Sequence, residues 1–308
     1  MISLLNMTLN YSNKQKAFTL TELLVVIAVI GLLGSIIFAI TSGAGEQGRI
    51  AKGLYFSQHL HNSLGSYAAG VWSFDEGSGT TANDISGWGN NGTFYNSPAW
   101  RCATANPNYT PSGQGCSLEF NGTNSYVDVG NHASLSFGNN PFTIELWYRP
   151  DRNPTNTDQM ISKFNTVTNR ANYELYYGDF GSNKPGARWT YNNTSWQTLN
   201  SNYTTTPGTW YHAVFVHDGT RIYWYMNGQQ TNSANSSGTI DSMPSVTTKI
   251  GIRYAVGQPF LGLIDEVRIY ATSLTSSQIQ SRYYAGLNRL LAKGQITQEE
   301  HKERVRNI

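Results

Sequence analysis

WYHAVFVHDGTRIYWYMNGQQ, residues 210–230, is the stretch whose reading decides the fold. Trp210 to His217 alternates in the period of two that marks a strand. Asp218-Gly219 then leads into Arg221 to Met226, and Asn227-Gly228 leads into Gln229-Gln230. Both dipeptides accept the positive φ angles of tight hairpin turns, so three consecutive antiparallel strands are expected. Phe142 to Tyr148, FTIELWY, alternates in the same way. From Val71 to Tyr270 short runs are divided by Gly, Asn, Asp and Pro, with almost no helical periodicity. So many strands in about 200 residues favour a two-sheet sandwich over a small barrel.

The whole chain has 308 residues, a formal charge of +2 and only 13% charged residues. Lys14 and Lys16 are the only charges before Ala17, so removing residues 1–17 would leave a formal charge of zero. Nucleic-acid binding therefore has no electrostatic footing. Cys102 and Cys116 are the only cysteines and flank a loop that could close between them. A disulfide there would fit an oxidising compartment and stabilise by roughly 3 kcal/mol in the chain-entropy model. The alternative is two buried thiols, and without a CxxC spacing zinc is not expected.

Leu23 to Ile40, LLVVIAVIGLLGSIIFAI, is an uncharged apolar run close to the length a helix needs to cross a bilayer. The lysines ahead of it favour a cytoplasmic N-terminus with the bulk of the chain exported. Glu22 opens the run, where a carboxylate beside lipid is costly unless paired or near water. A headgroup position at the positive end of the helix dipole would account for it without a function. Beyond Gly45, apolar and small residues recur at three- and four-residue spacing to about Ser66, consistent with a continuing helix. From Phe18 to Ser66 it would be roughly 70 Å long at 1.5 Å per residue. A secretory signal cut near Ser42-Gly43-Ala44 and an uncleaved anchor are the competing readings.

Lys16-Ala17-Phe18-Thr19-Leu20-Thr21-Glu22-Leu23 resembles the signal of type IV prepilins and pseudopilins. The resemblance implies cleavage by a prepilin peptidase between Ala17 and Phe18, and methylation of the new amino group. It also implies pairing of Glu22 with the N-terminal amine of a neighbouring subunit. Ala17 departs from the usual glycine. A second resemblance rests on blocks between Gly70 and Gly286: Gly70-Val71-Trp72-Ser73-Phe74-Asp75, Asp84-Ile85-Ser86-Gly87, Leu118-Glu119-Phe120-Asn121-Gly122 and Leu263-Ile264-Asp265-Glu266-Val267. In order and spacing they are similar to the laminin-G-like, concanavalin A-like jelly roll. The expected organisation is a leader at 1–17, an assembly helix at 18–66 with its span at about 20–40, a β-sandwich at 70–286 and a helical tail at 287–308. The fold class is mainly β.

An enzyme on this fold would use two facing carboxylates from one strand, at alternating positions. Glu145 and Glu174 stand alone in their strands, and the adjacent Asp265-Glu266 should point to opposite faces. Catalysis is therefore not expected. A structural calcium is implied by the second resemblance, with Asp265 as its best ligand, a backbone carbonyl around Asn121 or Gly122, and help from the Asp75 or Asp84 loops. Asp75 and Asp84 could equally be turn formers. Trp88, Tyr177, Trp189, Tyr191 and Trp196 could stack on sugar rings or simply pack.

Leu287 to Ile308 is rich in charge and in helix formers. Leu287, Leu290, Leu291 and Ile296 form a stripe, Gly294 breaks it, and Thr297 with Glu300 makes a capping box. This resembles the short C-terminal oligomerisation motif of the SHOCT type. The leading reading is a subunit inserted in the bacterial inner membrane, then assembled with other pilin-like subunits into an extracellular filament or secretion pseudopilus, displaying a domain for glycans or cell-surface proteins. The alternative is a membrane-anchored carbohydrate-binding module that never polymerises.

Overall fold

The computed structural model describes residues 64–179, 181–254 and 257–306. The expected cut at Ala17/Phe18, Glu22, the apolar run and almost all of the following helix lie outside the described residues. Among the described residues no helix is long and apolar enough to cross a membrane.

Sixteen strands are described: β1 (Ala68–Trp72), β2 (Thr81–Ala82), β3 (Gly92–Tyr95), β4 (Ala99–Cys102), β5 (Cys116–Asn121), β6 (Tyr126–Asp128), β7 (Phe142–Pro150), β8 (Asp158–Asn165), β9 (Arg170–Tyr177), β10 (Gly186–Tyr191), β11 (Ser195–Asn200), β12 (Tyr211–His217), β13 (Arg221–Met226), β14 (Gln229–Asn235), β15 (Lys249–Ile250) and β16 (Leu261–Tyr270). Helices α1 (Ser276–Ala292) and α2 (Gln298–Arg306) follow. Sheet A runs β14-β13-β12-β7-β16-β5-β4, with β1 also on β16, and sheet B runs β11-β10-β9-β8-β15-β6-β3-β2. The expected hairpins β12-β13-β14 are present. Asn227 and Gly228 both take positive φ, 51° and 81°. The tight turn requires this. Cys102 and Cys116 face each other across the β4–β5 ladder and are disulfide-bonded.

The main core lies between the sheets, where alternate residues of each strand meet: Ile144, Leu146 and Tyr148 from β7, Tyr173, Leu175 and Tyr177 from β9, Ala213 and Phe215 from β12. The intervening residues of sheet A are buried as well. Val214 and Val216 pack with Tyr225, Tyr270, Leu274 and Ile279 in a second cluster. Trp147 packs with Tyr283, Leu287 and Ile296 in a third. The C-terminal helices therefore lie over the outer face of sheet A, and β12 is buried on both sides.

Helix α1 starts at Ser276, ahead of the expected boundary at residue 287. Thr275 caps it through a reciprocal box with Gln278, at 3.3 Å and 2.8 Å. Each side chain satisfies a backbone N–H that the first helical turn leaves open. The first turns, SSQIQSRYYA, carry little apolar periodicity, and packing on sheet A supplies what that segment lacks. Gly294 follows at φ 67°, and Thr297 Oγ1 accepts the Glu300 N–H at 3.1 Å, the forward half of the expected box.

Candidate ligand-binding face

Sheet A's outer face carries a polar cluster that is closed. Glu145 Oε1 lies 2.9 Å from His212 Nε2, Arg282 on α1 donates to Oε2 at 2.6 Å, and Arg268 stands 3.7 Å from Oε1. Trp147 and Tyr283 flank the His212 ring at 4.9 Å and 6.0 Å. Burial pushes the Glu145 carboxyl up, but Arg282, His212 and Arg268 outweigh it and hold it well below the usual carboxylate range. The glutamate that stands alone in its own strand is thus met by groups distant in sequence, and it ties the helix to the sheet.

Among the described residues neither helix contributes to a hydrophobic cluster on the outer face of sheet B. That face is built from the ladder itself. Ser162, Glu174, Arg188 and Thr198 are register partners across β8, β9, β10 and β11, so their side chains share one face. Trp196, two residues from Thr198, joins them. The segment after β15 adds Arg253 and Gln258.

Glu174 is fully buried, yet both its oxygens are satisfied. Arg253 Nε donates to Oε1 at 2.6 Å and Arg188 Nε to Oε2 at 2.6 Å, with a further Arg253 Nη2 bond at 3.3 Å. Arg188 Nη2 also donates to Gln258 Oε1 at 3.1 Å. Arg253 stacks 3.8 Å above the Phe164 ring, and Arg188 lies 5.3 Å over Tyr176. A cation above a ring face is attracted by its quadrupole. Both guanidinium groups approach Trp196, at 5.7 Å and 5.8 Å. Beside them is an open cavity of about 340 Å3 lined by Asn169, Arg188, Trp196, Thr198 and Arg253. The arrangement offers an aromatic surface and cationic donors, while the carboxylate beneath them is already engaged by two arginines.

Of the aromatic residues considered for stacking, Trp196 lines this cavity, Trp88 is exposed elsewhere beside His132, and Tyr191 is half-buried. Tyr177 and Trp189 are core residues instead, because their positions in β9 and β10 point between the sheets. Nothing in the sequence reading joins Glu174, Arg188 and Arg253 into a unit. The available signal is a charged residue inside each of two adjacent strands, which is unusual in a chain this poor in charge.

Of the residues considered for calcium, Asp84 and Asn121 are engaged in their own turns, and Asp75 lies near Asp265. Asp84 spends its oxygens on the N–H groups of Val71, Ser86 and Asn90 and on the Ser86 hydroxyl. Asn121 Oδ1 accepts from Thr123, Asn124 and Ser125 and organises its own turn, and the Gly122 N–H donates to the Phe260 carbonyl, bonds that leave the expected carbonyl ligand of that turn untouched. Leu261 pairs with Asn121, which places Asp265 four positions along β16 from that turn. Asp75 does lie near Asp265 but accepts the Cys116 N–H at 3.1 Å. Burial, then Glu266 and Asp75, push the Asp265 carboxyl well up. A bulge falls between Asp265 and Arg268, with Glu266 at φ 52°. It breaks the alternation that would have sent Asp265 and Glu266 to opposite faces. Among the described residues no three His, Cys, Asp or Glu side chains are grouped to hold a metal ion, so Asp75, Asp84 and Asp265 do not form one carboxylate set.

The family model described as the concanavalin A-like lectin/glucanases superfamily matches residues 121–280, and that of the prokaryotic N-terminal methylation motif matches residues 12–38. No curated protein matches the chain. Among solved structures, domain 4 of AbnA, a GH43 extracellular arabinanase from Geobacillus stearothermophilus in complex with arabinotriose, is similar at 21% identity and TM-score 0.53, over 70% of this chain and 97% of that one. The binding domain of Paraclostridial Mosquitocidal Protein 1 is similar at 14% identity and TM-score 0.58, over 73% of this chain and 53% of that one. The binding domain of botulinum neurotoxin serotype G gives 14% and 0.54, over 71% and 51%. This chain thus spans about half the length of the two toxin domains, and at these identities the likeness is one of fold. The chain belongs to the concanavalin A-like lectin/glucanases superfamily, and its N-terminus carries the prokaryotic methylation motif of type IV prepilins.

Proposed function

We propose that the protein is a type IV pilin-like or pseudopilin subunit that displays a carbohydrate-recognition domain outside the cell, with the outer face of sheet B as its ligand face. A cavity of about 350 Å3 also lies at the sheet A edge, lined by Tyr203, Gln229, Tyr283 and Arg304, so the observation that carries the ligand face is the fixed pair of arginines beside Trp196 on sheet B. Helices α1 and α2 cover sheet A, while Trp196 and two arginines border an open cavity on sheet B. An aromatic face with a few convergent polar groups is the usual make-up of a small-ligand site. The methylation motif supports the assembly half of the reading, since residues 12–38 include Ala17, Phe18 and Glu22. In this reading a prepilin peptidase processes the chain in the membrane, and Glu22 pairs with the next subunit. A display domain reaching from Gly70 to Gly286 is bulky for close helical repetition, which favours a minor or tip position over the shaft.

Two measurements test the proposal. Mass spectrometry of the mature protein should find a chain that begins at Phe18 and carries one methyl group. An intact Met1 or a start near Gly45 would refute assembly through this signal. On a glycan array, full-length Trp196→Ala should bind sugars at least about tenfold more weakly than the wild type, the loss expected of an aromatic anchor. Equal binding by the two proteins would place the ligand face elsewhere.

A further inference from the structure

We infer that the sheet B site recognises acidic sugars, through an oxyanion held by Arg188 and Arg253 beside a ring stacked on Trp196. This rests on the reading of that face as the ligand face. Two guanidinium groups share one buried carboxylate, so the cluster keeps one net positive charge at the cavity wall. None of the cavity-lining residues is acidic.

The donors are also unspent. A guanidinium has five N–H groups. Arg188 and Arg253 use Nε and Nη2 within the protein. Among the described residues the Nη1 group of each meets no hydrogen-bond acceptor, and neither is a buried unsatisfied atom. Both arginines are largely held in place, with 15% of each side chain exposed. Glu174 and the Phe164 and Tyr176 rings fix their planes, so little side-chain freedom remains to be lost on binding. Fixed guanidinium groups match the geometry of a carboxylate or sulfate oxyanion better than that of a neutral hydroxyl. A neutral sugar would leave the charge and the Nη1 donors with water alone.

The test uses the full-length protein in detergent and three oligosaccharides of equal length: a uronate, a neutral parent and an O-sulfated parent. At low salt the uronate, the sulfated parent or both should bind at least about tenfold more tightly than the neutral parent, and the preference should shrink as salt screens it. The two acidic arms show whether carboxylate or sulfate is the better fit. Thr198→Glu adds a negative charge at an exposed position directly opposite Arg188 and should erase the preference without lowering Tm. Equal affinity for all three sugars, or an unaltered preference in Thr198→Glu, overturns the acidic specificity while leaving the ligand face in place. If no sugar binds, or Trp196→Ala binds as the wild type does, the ligand face itself falls and the specificity with it.

Discussion

Glu145→Ala should destabilise the domain by about 3–5 kcal/mol, the cost of removing one partner from a buried ion cluster. For a unit of this size that corresponds to a fall in Tm of roughly 6–20 °C. The side chain is 1% exposed, and its removal leaves Arg282 without its carboxylate and the fully buried His212 without its ring partner, while Arg268 keeps Glu266. Hydrogen exchange in α1 should therefore accelerate more than in sheet B. The effect has a defined pH dependence. The folded-state pKa of Glu145 lies below its ordinary value of 4.5, so its stabilisation is complete above about pH 4.5 and is lost as pH falls below that value. Asp75, Asp158 and Asp265 are shifted up by burial and act in the opposite sense, so the informative quantity is the Tm difference between wild type and variant. That difference should narrow on acidification below about pH 4.5. A difference independent of pH would show that the charge of Glu145 is not what stabilises the fold.

Glu174→Ala should cost a similar amount, about 3–5 kcal/mol, for the same reason on the opposite sheet. Two arginines would then face each other across the emptied position of a fully buried carboxylate, with no counter-charge between them. The consequence differs in place. Arg253 belongs to the segment after β15, so exchange should accelerate at residues 251–254 and 257–259 and leave α1 protected. Glu174→Gln keeps the shape and one acceptor and should recover part of the loss. A melting temperature within about 2 °C of wild type for the alanine variant, well short of the fall that such a loss implies, would mean that the arginines find other partners and that the carboxylate does not organise the site.

The sandwich is legible because its strands announce themselves locally. The alternation in FTIELWY and the paired turn residues Asp218-Gly219 and Asn227-Gly228 act over a few residues, which is the range a single sequence resolves. What covers the sheets acts over long separations. Val214 and Val216 look like ordinary strand residues on a solvent face, yet they are buried by α1, which begins only at Ser276. The same distance hides the partners of Glu145, since Arg282 lies 137 residues away. Glu174 reads as solitary when only its chain neighbours are compared, whereas its partners come from the next strand and from a segment 79 residues on. Tyr177 and Trp189 pass for stacking residues on composition, although strand register decides their side. The disulfide needs only two cysteines and a closable loop, and it is formed.

The strand order reaches beyond stability. Strand β1 pairs antiparallel with β16, and Ala68, its first residue, lies opposite Tyr270, the last of β16. The strand framework therefore opens and closes at two points one ladder spacing apart, about 4.8 Å. The chain enters sheet A beside the strand from which it leaves for α1, so the entering strand is held by the one that leads to the covering helix. A pull on the chain ahead of Ala68 would therefore load the β1–β16 ladder before it reached the core.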